Sequence, residues 1–439
     1  MMNYNINAEH LFDTLGTTLK FSADYYNPNH DDYTSHFKNI FLDSIGNSSL
    51  PPSEFISKNF LDFRLLISKI DFEKKLTKTL STDAGVKGTY MSMLSDYSLR
   101  AKNQQSGDYI TDSSFTSKFR YVEKVTAAYL NFSKEIKKFN FQLGVRAENT
   151  IMEIKNNSDG LNITRTYLNL FPVLSANYNH SKNHVFSFSY NKRIERPDQS
   201  NLNPYKSFTD ILNSCQGTPY TRHAYAHSLN FSYALKSSIF NSLSYTLYEH
   251  PISGYTFQND SSKETIWNIT NLDYFNVLGY SFFIRKNIKK RLVVSFNFGT
   301  YYVGYAGKIN GQYYSLSAVP HYEWLNNMFI LRKDVKIEVT AYYWGPWLGI
   351  ANRNKARGAV SLALKKSYFD GNLNCVISVN DIFFTEVFRS YADFQNQQWL
   401  QYQSNDTRRL NISFSYNFGK IKVEKRDLGN EDEKKGLSK

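Results

Sequence analysis

Few residues of this 439-residue sequence stand at spacings that could do chemistry. Arg146 and Glu148 are two apart. Side chains of a strand alternate sides, so the pair shares one face. There a guanidinium and a carboxylate neutralise each other, hold a neighbouring segment of protein, or contact polar cargo. His223 and His227 are four apart, a spacing that offers a metal two imidazoles from one helical face. On a strand rising about 3.3 Å per residue they stand roughly 13 Å apart, beyond the reach of one ion, so no metal site is expected. Trp344-Gly-Pro346-Trp347 sets two indoles near a predicted strand end, where they anchor depth at an apolar–water boundary or stack on a ligand. The 195–222 stretch carries Pro197, Pro204, Pro219 and Gly217. Proline fixes φ and glycine opens turns, so this is a loop ordered in places. Arg196, Asn203, Tyr205 and Tyr220 are its candidates for contact with a ligand or partner, with a structural lid as the alternative. There is no G-x-S-x-G, H-E-x-x-H, Walker A or G-x-G-x-x-G pattern, so no catalytic constellation and no cofactor are expected. Cys215 falls in a predicted loop and Cys375 in a predicted strand, which argues against a disulfide.

The elements that must position these residues are strands. Leu410, Ile412, Phe414, Tyr416 and Phe418 occupy one parity; Asn411, Ser413, Ser415 and Asn417 occupy the other. One face is wholly apolar and the other wholly polar. The same alternation runs through 139–148, 186–191, 228–233, 292–298, 337–343 and 373–379. Connections alternate too. Short ones fall near 78, 134–138, 181–183, 235–238, 287–290, 332–334 and 367–371, and longer ones near 28–56, 101–114, 156–163, 195–222, 257–263, 304–312 and 384–404. Long apolar-out, polar-in strands joined by short turns at one rim and long loops at the other predict a transmembrane antiparallel meander β-barrel, an all-β fold of about sixteen to seventeen strands. A soluble β-sandwich would need shorter strands.

Composition agrees. Aromatics make up 16% of the chain, with 33 Tyr and 33 Phe, which suit half-buried pleats and membrane interfaces. The mean hydropathy of −0.49 excludes a helical membrane protein but not a barrel, which needs apolar residues only at alternate positions. No apolar run is long enough for a membrane helix. The net charge of +13 raises the question of nucleic acid, but Lys and Arg cluster in short runs at 134–138, 286–291 and 332–334, which read as solvated turns. The N-terminus carries no signal peptide although such a barrel must be exported, so a fragment lacking its start is expected.

Several segments resemble the barrel region of TonB-dependent receptors, most closely the outer membrane β-barrel branch common in Bacteroidetes. Phe119-Arg-Tyr121-Val-Glu123-Lys-Val125-Thr-Ala127-Ala128-Tyr129 resembles its F-x-Y-x-E-x-I-x-A-A-Y segment, and Gly144-Val-Arg146-Ala-Glu148-Asn-Thr150 its G-x-R-x-E-x-T strand. Leu170-Phe171-Pro172, Arg193-Ile-Glu-Arg196-Pro197, Leu202-Asn203-Pro204-Tyr205 and Gly217-Thr-Pro219 resemble further motifs, with Thr218 replacing the usual Asn. Asp381-Ile-Phe383-Phe-Thr385 resembles D-I-F-N-T, with Phe384 in place of Asn, and Tyr416-Asn-Phe418-Gly419-Lys420 the closing strand. The matches run in order over about residues 60–420.

The resemblance implies part of a larger, 22-stranded type of barrel in the outer membrane of a Gram-negative bacterium. Residues 1–419 would be barrel without a plug domain, and 420–439 a charged periplasmic tail. It implies energy-dependent uptake of a large or scarce solute, by a fragment not competent alone. The implied partners are outer-membrane lipid, the barrel assembly machinery, and TonB only through a plug region that this sequence lacks; a surface lipoprotein is a further candidate. Arg146 and Glu148 become lumen-facing candidates for plug or cargo contact, and Trp344 and Trp347 interface anchors. The competing readings are a non-transporting surface scaffold for binding or adhesion and a rim-located hydrolase.

Overall fold

The computed structural model describes residues 2–28, 31–40, 42–48, 51–210 and 212–418. The charged segment 420–439 and the Gly419-Lys420 end of the closing motif lie outside the described residues. One antiparallel sheet of nineteen strands dominates. Two of its lanes each hold two collinear strands. Thr18–Asn27 and Asp31–Asn39 both pair with Ser53–Thr77, and Gln312–Ala318 and His321–Ile330 both pair with Leu292–Ile309. The sheet therefore has seventeen lanes, and each lane pairs with its neighbour in sequence order, as the alternation predicts. Among the described residues, the first strand, Met2–Leu11, and the last, Leu410–Tyr416, pair on one side only, so the sheet is not closed.

The register carries the two faces around the whole sheet, because paired residues of an antiparallel ladder project to the same side. On one face Ile288, Leu292, Phe329, Ile337, Leu364, Ile377 and Ile412 form a continuous row across seven strands. On the other, Ser187, Ser232, Ser242, Ser281, Gly299, Tyr322 and Trp344 do the same. Leu410, Ile412, Phe414 and Tyr416 thus stand on the apolar outer face, and Asn411, Ser413 and Ser415 on the inner one. The outer face is exposed: Leu143 by 60%, Leu168 by 70%, Leu170 by 57% and Phe414 by 73%. An apolar surface this extensive is not one that water tolerates; it marks a surface covered by something apolar.

The inner face is not uniformly polar, contrary to the alternation-based expectation. Phe63, Leu65, Met91, Met93, Tyr121, Met152 and Ile154 cluster there with the fully buried Leu202. The longest strands build this region: Ser53–Thr77, Leu80–Lys102 and Tyr109–Ile136 run 25, 23 and 28 residues. They overshoot the other lanes, and a folded-in loop covers the excess.

Every connection between lanes at one rim is short: 12–17, 78–79, 137–138, 182–183, 236–238, 289–291, 331–334 and 369–372. The opposite rim carries the long connections and two extra four-stranded sheets. One is Lys206–Asp210, Asn213–Gln216, Thr265–Asn271 and Ile252–Gln258; the other is Trp347–Leu348, Arg353–Asn354, Val387–Phe394 and Gln397–Ser404. No helix is long and apolar enough to cross a membrane among the described residues.

Candidate functional site

The charged centre of the inner face lies where four segments meet. In register, Leu65, Met91, Glu123, Met152 and Arg165 form one row, so Glu123 is set between two methionines. Glu148 shares the inner parity of Met152 on the next strand, Phe139–Asn156. Arg196 is the first residue after His184–Glu195 and reaches both carboxylates. Its Nη2 donates to Glu148 Oε2 at 2.8 Å and to Thr150 Oγ1 at 3.2 Å. Its Nε stands 3.2 Å from Glu123 Oε1, close enough for an ion pair. Arg146 Nε donates to Glu148 Oε1 at 2.6 Å. Glu123 and Glu148 are 8% and 7% exposed. Two guanidiniums balance two carboxylates, so the cluster is neutral as a unit and unstable if one member is removed. Arg146 and Glu148 thus lie on the inner face as their spacing requires. In the sequence Glu123 stands out only as part of the Phe119–Tyr129 motif; its parity with Phe119 and Tyr121 puts it on the same face as they are.

The 196–223 connection folds inward over the apolar cluster. Leu202 plugs into that cluster at 0% exposure. Asn203 accepts the Gly217 N–H through its carbonyl at 2.9 Å, and its Oδ1 accepts the Tyr205 N–H at 3.2 Å. The Tyr205 ring packs 4.4 Å from Tyr97, and its hydroxyl donates to the Phe115 carbonyl. A Cβ on Gly217 would stand 2.5 Å from the Asn201 carbonyl oxygen and 2.6 Å from that of Asn203, so only glycine fits. Arg165 donates to the carbonyls of Pro219 and Thr221, both at 2.8 Å. Of the four loop candidates, only Tyr220 is presented to solvent, at 66% exposure. Arg196, Asn203 and Tyr205 are staples that hold the loop to the wall. The reason is the buried cluster beneath: a loop carrying Leu202 is drawn in to cover it.

His223 precedes its strand, which starts at Ala224, rather than sharing it with His227. Its ring packs at a tilt 4.3 Å from that of Tyr167, and its Nε2 lies 2.8 Å from the Tyr225 hydroxyl. Burial, then the nearby Arg196 and Arg165 charges, push its pKa down to about 4. His227 bonds Tyr190 instead, at 3.0 Å.

The second rim sheet closes a cavity of about 390 Å³ against the inner face. Phe275, Tyr301, Val303 and Tyr305 form the wall, and Trp347 and Leu348 the cover. The Tyr305 hydroxyl donates to the Leu348 carbonyl at 2.5 Å. Trp347 therefore faces the interior. Trp344 does too, because the register ties it to Tyr322 on the polar face. The expectation that these two tryptophans anchor the outer face fails for a countable reason: Tyr343, not Trp344, has the parity of Ile337 and Val339. Asp381 fixes the start of the 380–409 connection. Its Oδ1 accepts the Thr385 N–H at 2.9 Å, and its Oδ2 the Glu386 N–H at 3.1 Å and the Thr407 hydroxyl at 2.7 Å. The two rim sheets touch through Gln397, which donates to the Thr256 carbonyl at 2.6 Å, and Asn396, which donates to that of Gln258 at 2.9 Å.

A family model described as the outer membrane protein beta-barrel family matches residues 10–416. No curated relative matches the sequence. Among solved structures, the unliganded ferric citrate transporter FecA superposes with a TM-score of 0.62 at 11% identity, over 95% of this chain and 61% of that one. The ferric-catecholate import receptor Fiu from E. coli K12 gives 0.63 at 15% identity, over 95% and 64%. The copper transporter OprC gives 0.53 at 11%, over 95% and 80%. At such identities the likeness is one of fold. The chain spans less than two thirds of the length of FecA or Fiu.

Proposed function

The chain belongs to the outer membrane protein beta-barrel family and resides in the outer membrane, and on that premise we propose that it is the barrel portion of a TonB-dependent receptor. In this reading the wall admits a large or scarce solute, with energy delivered through a plug region. The observation that carries it is the inner-face cluster of Glu123, Glu148, Arg146 and Arg196. A wall that only had to enclose water gains nothing from two carboxylates buried around one arginine. A wall that must grip a movable domain or a charged cargo does, because a buried charge released from one partner must find another. The fold likeness to importers of ferric citrate, ferric catecholates and copper supports the reading and suggests a chelated metal as the class of cargo.

The seventeen lanes form part of a wider wall in this proposal. Lipid cannot satisfy the backbone groups of two open edge strands, at several kcal/mol each. Residues 1–439 expressed behind a signal peptide should yield no heat-modifiable, protease-resistant species. A stable monomeric band of that kind would make the chain a self-sufficient, plugless pore.

Transport is tested in the native bacterium. Deleting the gene should abolish uptake of one member of a panel of ferric citrate, ferric catecholates and copper, and a protonophore should abolish the same uptake in the parent strain. Unchanged uptake of the whole panel would sink the transport reading. If surface binding were lost instead, the non-transporting scaffold would stand, a role that the two folded rim sheets would suit. Two rim histidines engage tyrosines, His223 with Tyr225 and His321 with Tyr343; a histidine bonded to serine and aspartate there would favour the hydrolase reading instead.

A further inference from the structure

The lysine and arginine runs that the sequence scatters along the chain converge on one rim. Six successive short turns, from Lys78 to Lys333, each carry at least one cation. The eight short turns together hold ten Lys or Arg against three acids, Asp13, Asp334 and Asp370. The connections of the opposite rim hold nine Lys or Arg against twelve Asp or Glu. Every one of the ten turn cations is exposed. Among the described residues none of them has a carboxylate within ion-pair distance. Four of them, Lys137, Lys236, Lys289 and Lys290, sit at φ between 50° and 55°. That backbone geometry is uncommon for residues other than Gly, Asn and Asp, so lysine there is not what turn formation alone would select.

A second observation sets the height of this rim. On the outer face, immediately inside the turns, Phe139, Tyr178, Phe186 and Tyr233 pair in one register row. Their rings stack in succession at 4.5, 6.2 and 4.8 Å. Farther round, the Lys366 ammonium lies 4.9 Å over the Tyr368 ring. Aromatic rows of this kind settle at the boundary between hydrocarbon and headgroups. The turn cations follow within a few residues, at headgroup height.

We propose that the short-turn rim is a docking surface for anionic phospholipid headgroups of the leaflet it meets. Each exposed cation at that height adds attraction for a phosphate without a second, uncharged contact. The rim then selects anionic over zwitterionic lipid, while the near-balanced opposite rim does not. The inference rests on the outer-membrane location, not on transport.

The test uses the protein extracted in mild detergent, exchanged into micelles of equal phosphatidylglycerol and phosphatidylcholine, with retained lipids counted by native mass spectrometry. Retention of phosphatidylglycerol is expected to exceed that of phosphatidylcholine by about tenfold at low salt. The preference should collapse in about 0.5 M NaCl, where charges are screened within a few ångströms. A variant with Lys137→Asn, Lys289→Asn, Lys290→Asn, Arg291→Gln, Arg332→Gln and Lys333→Gln keeps the turns allowed, since Asn accepts positive φ, and should bring the two lipids close to parity. Arg408→Gln with Arg409→Gln, on the opposite rim, should leave the preference unchanged. Equal retention by the parent protein, or a preference indifferent to salt, overturns the proposal; so does a preference intact in the folded six-site variant. Binding of polyglutamate with equal lipid retention would assign the rim to an acidic polypeptide instead. If the variant does not fold, the salt titration of the parent protein decides alone.

Discussion

The two assemblies on the long-loop rim are each built on a four-stranded sheet, yet they are fastened to the wall by different physics. The first, residues 196–223 and 250–273, meets the wall through a buried charge centre in which Arg196 binds Glu123 and Glu148, while Lys206 and Glu264 pair at 2.7 Å within the assembly itself. The second, residues 345–356 and 380–409, meets the wall through neutral donors and a more exposed ion pair, Glu386 with Arg357 at 3.3 Å. Tyr305 of the wall donates to the Leu348 carbonyl and Tyr342 to Glu386, while Asn352 Nδ2 to Ser390 Oγ at 2.8 Å and the Asp381 cap brace the assembly from within. A charge-held lid is stable while complete and fails sharply when one ion is lost; a lid held by many neutral bonds fails gradually. The difference places the switchable element in the first assembly.

The largest expected effect follows from removing the central cation. Arg196→Ala should destabilise the first assembly by about 3–5 kcal/mol, because buried Glu123 loses its cation and Glu148 keeps only Arg146. Limited proteolysis should then cut within 196–223 and leave 380–409 intact. Equal susceptibility of both would erase the contrast. Gly217→Ala should come next, at about 1–3 kcal/mol, since the clash is with backbone carbonyls that cannot rotate away. Its effect should again be confined to 196–223, as read by hydrogen exchange.

Asp381→Asn probes the other side at roughly 1–3 kcal/mol, through the loss of a carboxylate that accepts four bonds. Exchange protection should drop in 380–409 and hold in 196–223. Burial alone would raise the Asp381 pKa, but the donors from Thr407, Thr385 and Glu386 outweigh it and hold it below 3.8. Its contribution is therefore present above pH 3.8 and is lost only as pH falls through the lower folded value.

The smallest effect is a pH dependence of the first assembly. Seated His223 takes up its proton near pH 4, whereas a free imidazole does so at 6.5. The unseated loop binds more protons between those values, so the first assembly loses stability as pH falls from 6.5 towards 4 and is unaffected above 6.5. Hydrogen exchange at pH 7 and pH 5 should show 196–223 loosening while 380–409 does not. His223→Gln should abolish the difference, and its persistence would assign the effect elsewhere.

The seventeen lanes, their order, the two faces and the alternation of rims were legible because each follows from local rules: period-two patterning, turn residues and the geometric need of a strand to alternate its side chains. Arg146 and Glu148 were placed by that rule alone. Trp344 was misplaced because the indole's affinity for an interface was weighed above its parity, and parity prevailed because a strand cannot turn one side chain without its neighbours. Tyr205 and Asn203 read as binding residues because prolines and a glycine marked an ordered loop, and nothing local said what ordered it.

What the sequence by itself determined is therefore the sheet: strand periodicity is written residue by residue, and sequence-neighbour pairing is its cheapest arrangement. Tertiary structure alone decided three things. It folded the 196–223 loop inward onto Leu202's pocket, it joined Glu123 to Glu148 through an arginine 48 residues from the latter, and it gathered dispersed lysines onto one rim. All three depend on which segments become neighbours once the sheet curves, and on burial and charge summed over distant residues, quantities that no local window contains.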